Sequence, residues 1–190
     1  MLKKWPTLIE QIYSYTPLTT KEQETKATFI DFLTTSSNCF SRGNLERHFT
    51  GSALLFSEDL NRVLLTLHKK LGKWLQLGGH CDNNQSTLSV ALQEAKEESG
   101  INSIKVLHED IFAIDIHPIP QFNTVAPHYH YDVSYLLKAE ADDNSIEISN
   151  ESIELRWFPI HNIHKCNVDE HVKLLVDRYI RVSSLQKSYC

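Results

Sequence analysis

Gly79-His80-Cys81-Asp82-Asn83-Asn84-Gln85-Ser86-Thr87-Leu88-Ser89-Val90-Ala91-Leu92-Gln93-Glu94-Ala95-Lys96-Glu97-Glu98-Ser99-Gly100-Ile101 is the stretch on which the reading of this chain turns. A glycine turn leads into a polar loop, and the loop into one amphipathic helix. Leu88, Ala91, Leu92 and Ala95 recur at i, i+3, i+4 and i+7, so they lay one apolar stripe against a core. Glu94, Glu97 and Glu98 share an arc roughly 100° wide beside that stripe, which lets their carboxylates converge. Like charges held so close raise one another's pKa unless a cation is present. A hard divalent cation such as Mg²⁺, which prefers carboxylate oxygens and bridges to phosphates, relieves the repulsion. Gly100 is a C-cap type of residue, and Asn84 or Ser86 is the candidate N-cap.

With Trp74-Leu75-Gln76-Leu77-Gly78 leading in, this segment resembles the signature of the Nudix hydrolases, of the MutT-like kind. Gly79, Glu94, Ala95, Glu97, Glu98, Gly100 and Ile101 stand at signature positions. Gln85 stands where the family has Glu, and Gln93 where it has Arg. In the family those two residues are expected to form an ion pair that braces loop against helix. Two neutral amides replace it here without leaving a lone charge, and amides can hydrogen-bond to each other.

The resemblance implies an α/β sandwich with a mixed sheet over residues 46–190, preceded by an N-terminal helical extension over residues 1–45. It implies a metal-dependent pyrophosphohydrolase that cleaves a phosphoanhydride in a nucleoside diphosphate linked to another moiety. Mg²⁺ or Mn²⁺ is the implied cofactor, with Gly79, Glu94, Glu97 and Glu98 as its ligands. The general base is Glu97 or Glu98 on the helix, or Glu151 on a late loop with Glu154 as the second choice. The alternative, prompted by Gln85 and Gln93, is a catalytically weakened nucleotide- or metal-binding sensor module. A third reading makes the chain chiefly an assembly partner through its N-terminal helices.

Composition narrows the partners. Across 190 residues, Lys+Arg of 19 against Asp+Glu of 24 gives a net charge of −5 with no basic block, which argues against a nucleic acid polymer. A small phosphorylated substrate is compatible with that sign, because a bound cation supplies local positive charge. Cys39, Cys81, Cys166 and Cys190 form no CxxC pair and no zinc-finger spacing, so reduced thiols are expected. There is no apolar leader after Met1 and no apolar run long enough to span a bilayer, so the expectation is a cytoplasmic protein without a membrane partner.

Along the chain, Leu8, Ile9, Ile12 and Tyr13 share one helical face, and a second helix is expected from Thr20 to about Leu33. These helices cover the following domain, or serve as a homodimerisation arm or a lid. Residues 50–56 and 62–68 read as a β-hairpin, and 103–107 and 111–117 as strands ended by Pro118 and Pro120. Residues 121–127 form a polar loop at the pocket rim. The next strand, His128 to Leu137, alternates faces: Tyr129, Tyr131, Val133, Tyr135 and Leu137 on one, His128, His130 and Asp132 on the other. His-x-His on a strand chelates zinc, contacts substrate, or is merely hydrogen-bonded; those readings stay open. His80, His128, His130 and Asp132 are the candidate substrate contacts. A strand before Pro159 and a packing helix from Val168 to about Ser183 complete the chain.

Overall fold

The computed structural model describes residues 7–69, 71–121, 123–140, 146 and 152–187, and side chains up to residue 184. Its elements, in order, are α1 (Leu8–Ser14), α2 (Thr20–Thr35), β1 (Arg47–Ser57), β2 (Arg62–His68), β3 (Lys73–Leu75), β4 (Leu77–His80), α3 (Thr87–Ser99), β5 (Ile104–Val106), β6 (Ala113–Ile119), β7 (His128–Ala139), β8 (Ser152–Pro159) and α4 (Glu170–Lys187), with a 3₁₀ turn over Ile160–Lys165. The class is α/β, a mixed sheet with flanking helices. The chain divides into two compact units, and β1, α3 and β7 each contribute to both.

Unit 1 comprises residues 1–53, 78–94 and 106–136. The two N-terminal helices start where the sequence caps them. Thr7 and Glu10 close a reciprocal capping box on α1, and the Thr19 hydroxyl accepts from Glu22 N–H on α2. Phe29 and Phe32 of α2 are fully buried against Phe49 of β1 and Tyr131 of β7, with ring centroids 4.7–5.7 Å apart. Phe29 and Phe32 thus anchor α2 inside this unit. A buried hydroxyl chain adds direction to the packing: Thr87 donates to Tyr135 Oη (2.7 Å), Tyr135 to Gln11 Oε1 (3.0 Å), and Gln11 Nε2 to the Glu109 carbonyl (3.1 Å). It ties α1, β7 and the first turn of α3 together with each member's hydrogen bond met.

Pairing of β6 with β7 runs antiparallel from Ala113↔Ser134 to Ile119↔His128. The expected stop at Pro118 does not occur: Pro118 lies inside the strand opposite Tyr129. Among the described residues β6 pairs only with β7, so its other edge needs no ladder donor and tolerates a proline.

Unit 2 comprises residues 54–77, 95–105 and 137–190. There β2 pairs with β3, with the end of β1 (Leu55↔Leu64, Phe56↔Val63) and, along its whole length, with β8. Val172, Leu175 and Val176 of α4 are buried, and Tyr179 sits 4.3 Å, ring to ring, from Phe56. No helix among the described residues is long and apolar enough to cross a membrane.

Candidate active site

The acidic helix forms where its spacing demands. Of the two candidate caps, Ser86 takes the role: its Oγ accepts from Ser89 N–H (3.3 Å) and its carbonyl from Val90 N–H (3.0 Å), while Asn84 braces Ser86 N–H (3.0 Å). Of the stripe, Leu88, Ala91 and Ala95 are buried and Leu92 is half-buried, and Gly100 ends the helix at φ 70°. Of the carboxylates, Glu94 is half-buried, Glu97 exposed, and Glu98 buried at 9% exposure. Glu94 and Glu98 are one turn apart on the same helix and so are neighbours on its surface.

Gly79 is where strand and helix meet in unit 1. A Cβ built on it would lie 2.5 Å from Glu94 Oε1 and 2.7 Å from Oε2. The carboxylate thus sits against the backbone of β4, in space that only glycine leaves open. Gly79→Ala is expected to displace Glu94 and, on the sequence expectation of a hydrolase, to reduce turnover at least tenfold, with a smaller loss of stability. Turnover and a thermal melt of the same preparation check this, and full activity would dissociate Gly79 from the site.

The strand alternation places a second set of groups on the other face of β4, β1 and β7. Gly79 meets Glu94, whereas the next residue, His80, points the opposite way. There its ring lies 5.1 Å from His48 and 5.0 Å from His130, centroid to centroid. His48 also lies 5.0 Å from His128 and 4.9 Å from His130, and His117 lies 5.6 Å from His130. Asp132 continues the same face inward. It is buried and accepts from Thr50 (2.6 Å), Ser52 (2.6 Å) and Ser134 (3.0 Å) hydroxyls. These hydroxyls occupy its carboxylate, and through Asp132 they link β1 to β7.

Burial sets the protonation of the imidazoles. His80 is pushed down from 6.5 to about 4, first by burial, then by His48 and Arg42. His130 is pushed to about 2 by burial and the surrounding rings, and His48 is lowered by burial. A group whose folded pKa is depressed stabilises above its unfolded value, and that stability is lost as pH falls toward the folded one. In metal-free protein His80 alone is expected to cost about 2 kcal/mol between pH 7 and pH 5. Urea unfolding at the two pH values, with His80→Asn reducing the difference, checks it.

Around this face the loops are held by local bonds. Arg42 Nε donates to Asp82 (2.6 Å), Asn83 N–H to the Phe40 carbonyl (2.9 Å), and Asp82 and Asn83 both take left-handed φ. Cys39, Cys81 and Cys166 are free thiols, the first two buried, and burial raises both of their pKa values; Cys190 lies outside the described residues. Gln85 and Gln93 are both exposed. Glu151 lies outside the described residues, and Glu154 on β8 accepts from Arg156 Nε (3.0 Å).

His48 and His117 escaped the sequence reading. The signal for His48 is the alternation of His48, Thr50 and Ser52 with Phe49 and Gly51, which extends β1 toward its start. His117 becomes legible only through its register opposite His130.

The model of the NUDIX domain matches residues 46–177. The chain belongs to the Nudix family. Among solved structures, a NUDIX-family hydrolase from Clostridium perfringens is 27% identical, with 72% of this chain and 99% of that one covered and a TM-score of 0.54. The MutT protein from Methanosarcina mazei Go1 is 20% identical, with 73% and 96% covered and a TM-score of 0.57. A Nudix hydrolase from M. smegmatis is 19% identical, with 74% and 88% covered and a TM-score of 0.54. None of the curated proteins compared with the sequence is a significant match. The family is one of nucleotide pyrophosphohydrolases that generally use divalent cations. Gly79, Glu94 and the whole of α3 lie within the matched residues.

Proposed function

We propose that this Nudix protein hydrolyses a phosphoanhydride bond in a nucleoside diphosphate linked to another moiety. The observation that carries the reading is the seating of the Glu94 carboxylate against Gly79, with Glu98 buried one helical turn further on. A row of three acids on one helix, one of them buried, is not what packing alone selects. The carboxylate set fits a hard divalent cation: Glu94 and Glu98 would hold Mg²⁺ or Mn²⁺, with Glu97 and the Gly79 carbonyl completing the ligands. When bound, such a cation neutralises diphosphate charge and activates water for attack.

The chain's own residues do the rest. Glu97, exposed at the end of the acid row, or Glu98, takes the proton of the attacking water, with Glu151 as the base from the late loop. Gly79 keeps Glu94 in place. Exposed Gln85 and Gln93 stand in for the ion pair of the signature without adding charge.

The test is phosphate release from nucleoside diphosphate sugars, dinucleoside polyphosphates, nucleoside triphosphates, NADH and CDP-alcohols. A phosphatase or pyrophosphatase is coupled, and Mg²⁺, Mn²⁺ and EDTA are compared. Cation-dependent hydrolysis of one substrate class is expected. Silence across the panel with tight nucleotide binding by calorimetry would replace hydrolysis with sensing.

A further inference from the structure

The second cluster in unit 1 has a chemistry of its own. His48, His128 and His130 each offer a ligand atom, and these atoms all lie within 4.8 Å of one another. His48 is on β1, and the other two are on β7. A backbone carbonyl can only accept a hydrogen bond, which settles two of the tautomers. His48 Nδ1 lies 3.1 Å from the Asn44 carbonyl and His128 Nδ1 2.9 Å from the Ala126 carbonyl, so both Nδ1 atoms carry the proton. With the proton on Nδ1, the lone pair of each ring is at Nε2.

One of those lone pairs meets no protein donor, and the other meets only a neighbouring imidazole. His48 is 4% exposed, and its Nε2 is buried without a hydrogen-bond partner among the described residues. Leaving such an acceptor unmet costs about 1–3 kcal/mol. His128 and His130 share a hydrogen bond between their Nε2 atoms at 3.2 Å, the His128 lone pair accepting, and a cation would take the place of that shared proton. A tetrahedral cation with bonds of about 2.0–2.1 Å to imidazole spans about 3.3 Å between two ligand nitrogens, which this pair already matches. Carbonyl-anchored Nδ1–H groups are also how metal-binding histidines are held in one tautomer and one orientation.

We propose that His48, His128 and His130 bind a borderline transition-metal cation, Zn²⁺ in preference to Mg²⁺. Imidazole nitrogen without carboxylate oxygen selects that class of ion, whereas the acidic helix selects hard cations. His80, next to both His48 and His130, supplies the nearest candidate fourth donor. Because Gly79 and His80 point to opposite faces of β4, the imidazole site and Glu94 lie on different sides of that strand. The proposal does not rest on the hydrolase reading, since binding is measured without turnover.

The experiment uses the full chain, stripped with EDTA and moved into chelator-free buffer, then titrated with Co²⁺ and with Zn²⁺ in competition. One equivalent of Co²⁺ giving visible d–d absorption, displaced by one equivalent of Zn²⁺, is the expected result. In His128→Gln and His130→Gln the affinity falls at least roughly a hundredfold, more than outer-shell changes produce. Zn²⁺ raises the melting temperature of the parent protein but not of these variants, whose metal-free melts confirm that they fold. Glu98→Gln keeps the Co²⁺ spectrum while losing hydrolysis, which separates the two sites. Absence of both the spectrum and the Zn²⁺-dependent shift in the parent protein overturns the proposal, as does their persistence in the histidine variants.

Discussion

Glu98→Gln is expected to lower hydrolysis by roughly 10²–10³-fold, the range seen when one preorganised electrostatic group is removed from an active site. Glu98 is buried on α3 one turn beyond Glu94, and Gln keeps its shape while removing its charge. Fewer like charges on one face also lowers repulsion, so the melting temperature should stay within a few degrees or rise. Steady-state kinetics with Mg²⁺ and Mn²⁺, beside a thermal melt, separate the two effects. A fall in kcat with an intact melt places Glu98 in the cation site. Unchanged kcat would remove it, leaving Glu94 and Glu97 without the partner that the reading requires.

Phe49→Ala should be the most damaging single change to stability, by about 3–5 kcal/mol. The Phe49 ring is fully buried and meets Phe29, Phe32, Phe40 and Tyr131 at centroid distances of 5.3–5.7 Å. Removing it empties the place where α2, the loop after it, β1 and β7 converge. For a chain of this size the melting temperature should fall by roughly 6–20 °C. Urea unfolding of parent and variant measures it. A loss under about 1 kcal/mol would mean that the N-terminal helices are not anchored through this cluster.

Local signals were legible in the sequence because they depend on residues close along the chain. The stripe of Leu88, Ala91, Leu92 and Ala95 announces α3, and the burial of all but the half-buried Leu92 follows from a helical period acting against a core. Thr7 and Glu10, three residues apart, form the box that starts α1. The alternation of His128, His130 and Asp132 against Tyr131, Val133 and Tyr135 is a property of any strand. The proline rule, by contrast, failed at Pro118, since whether a strand edge needs its N–H depends on what lies beside it.

The acid row on one helix, its glycine leader and the family to which they point were therefore present in the order of residues alone. Their spacing needs only the pitch of a helix. Tertiary structure decided that Gly79 receives the Glu94 carboxylate, that Asp132 is consumed by Thr50, Ser52 and Ser134, and that His48 joins His128 and His130. Each of these depends on the register between segments far apart in sequence. A slip of one residue in β1 or β7 would turn the side chains on that strand, His48, Thr50 and Ser52 or His128, His130, Asp132 and Ser134, to the opposite face.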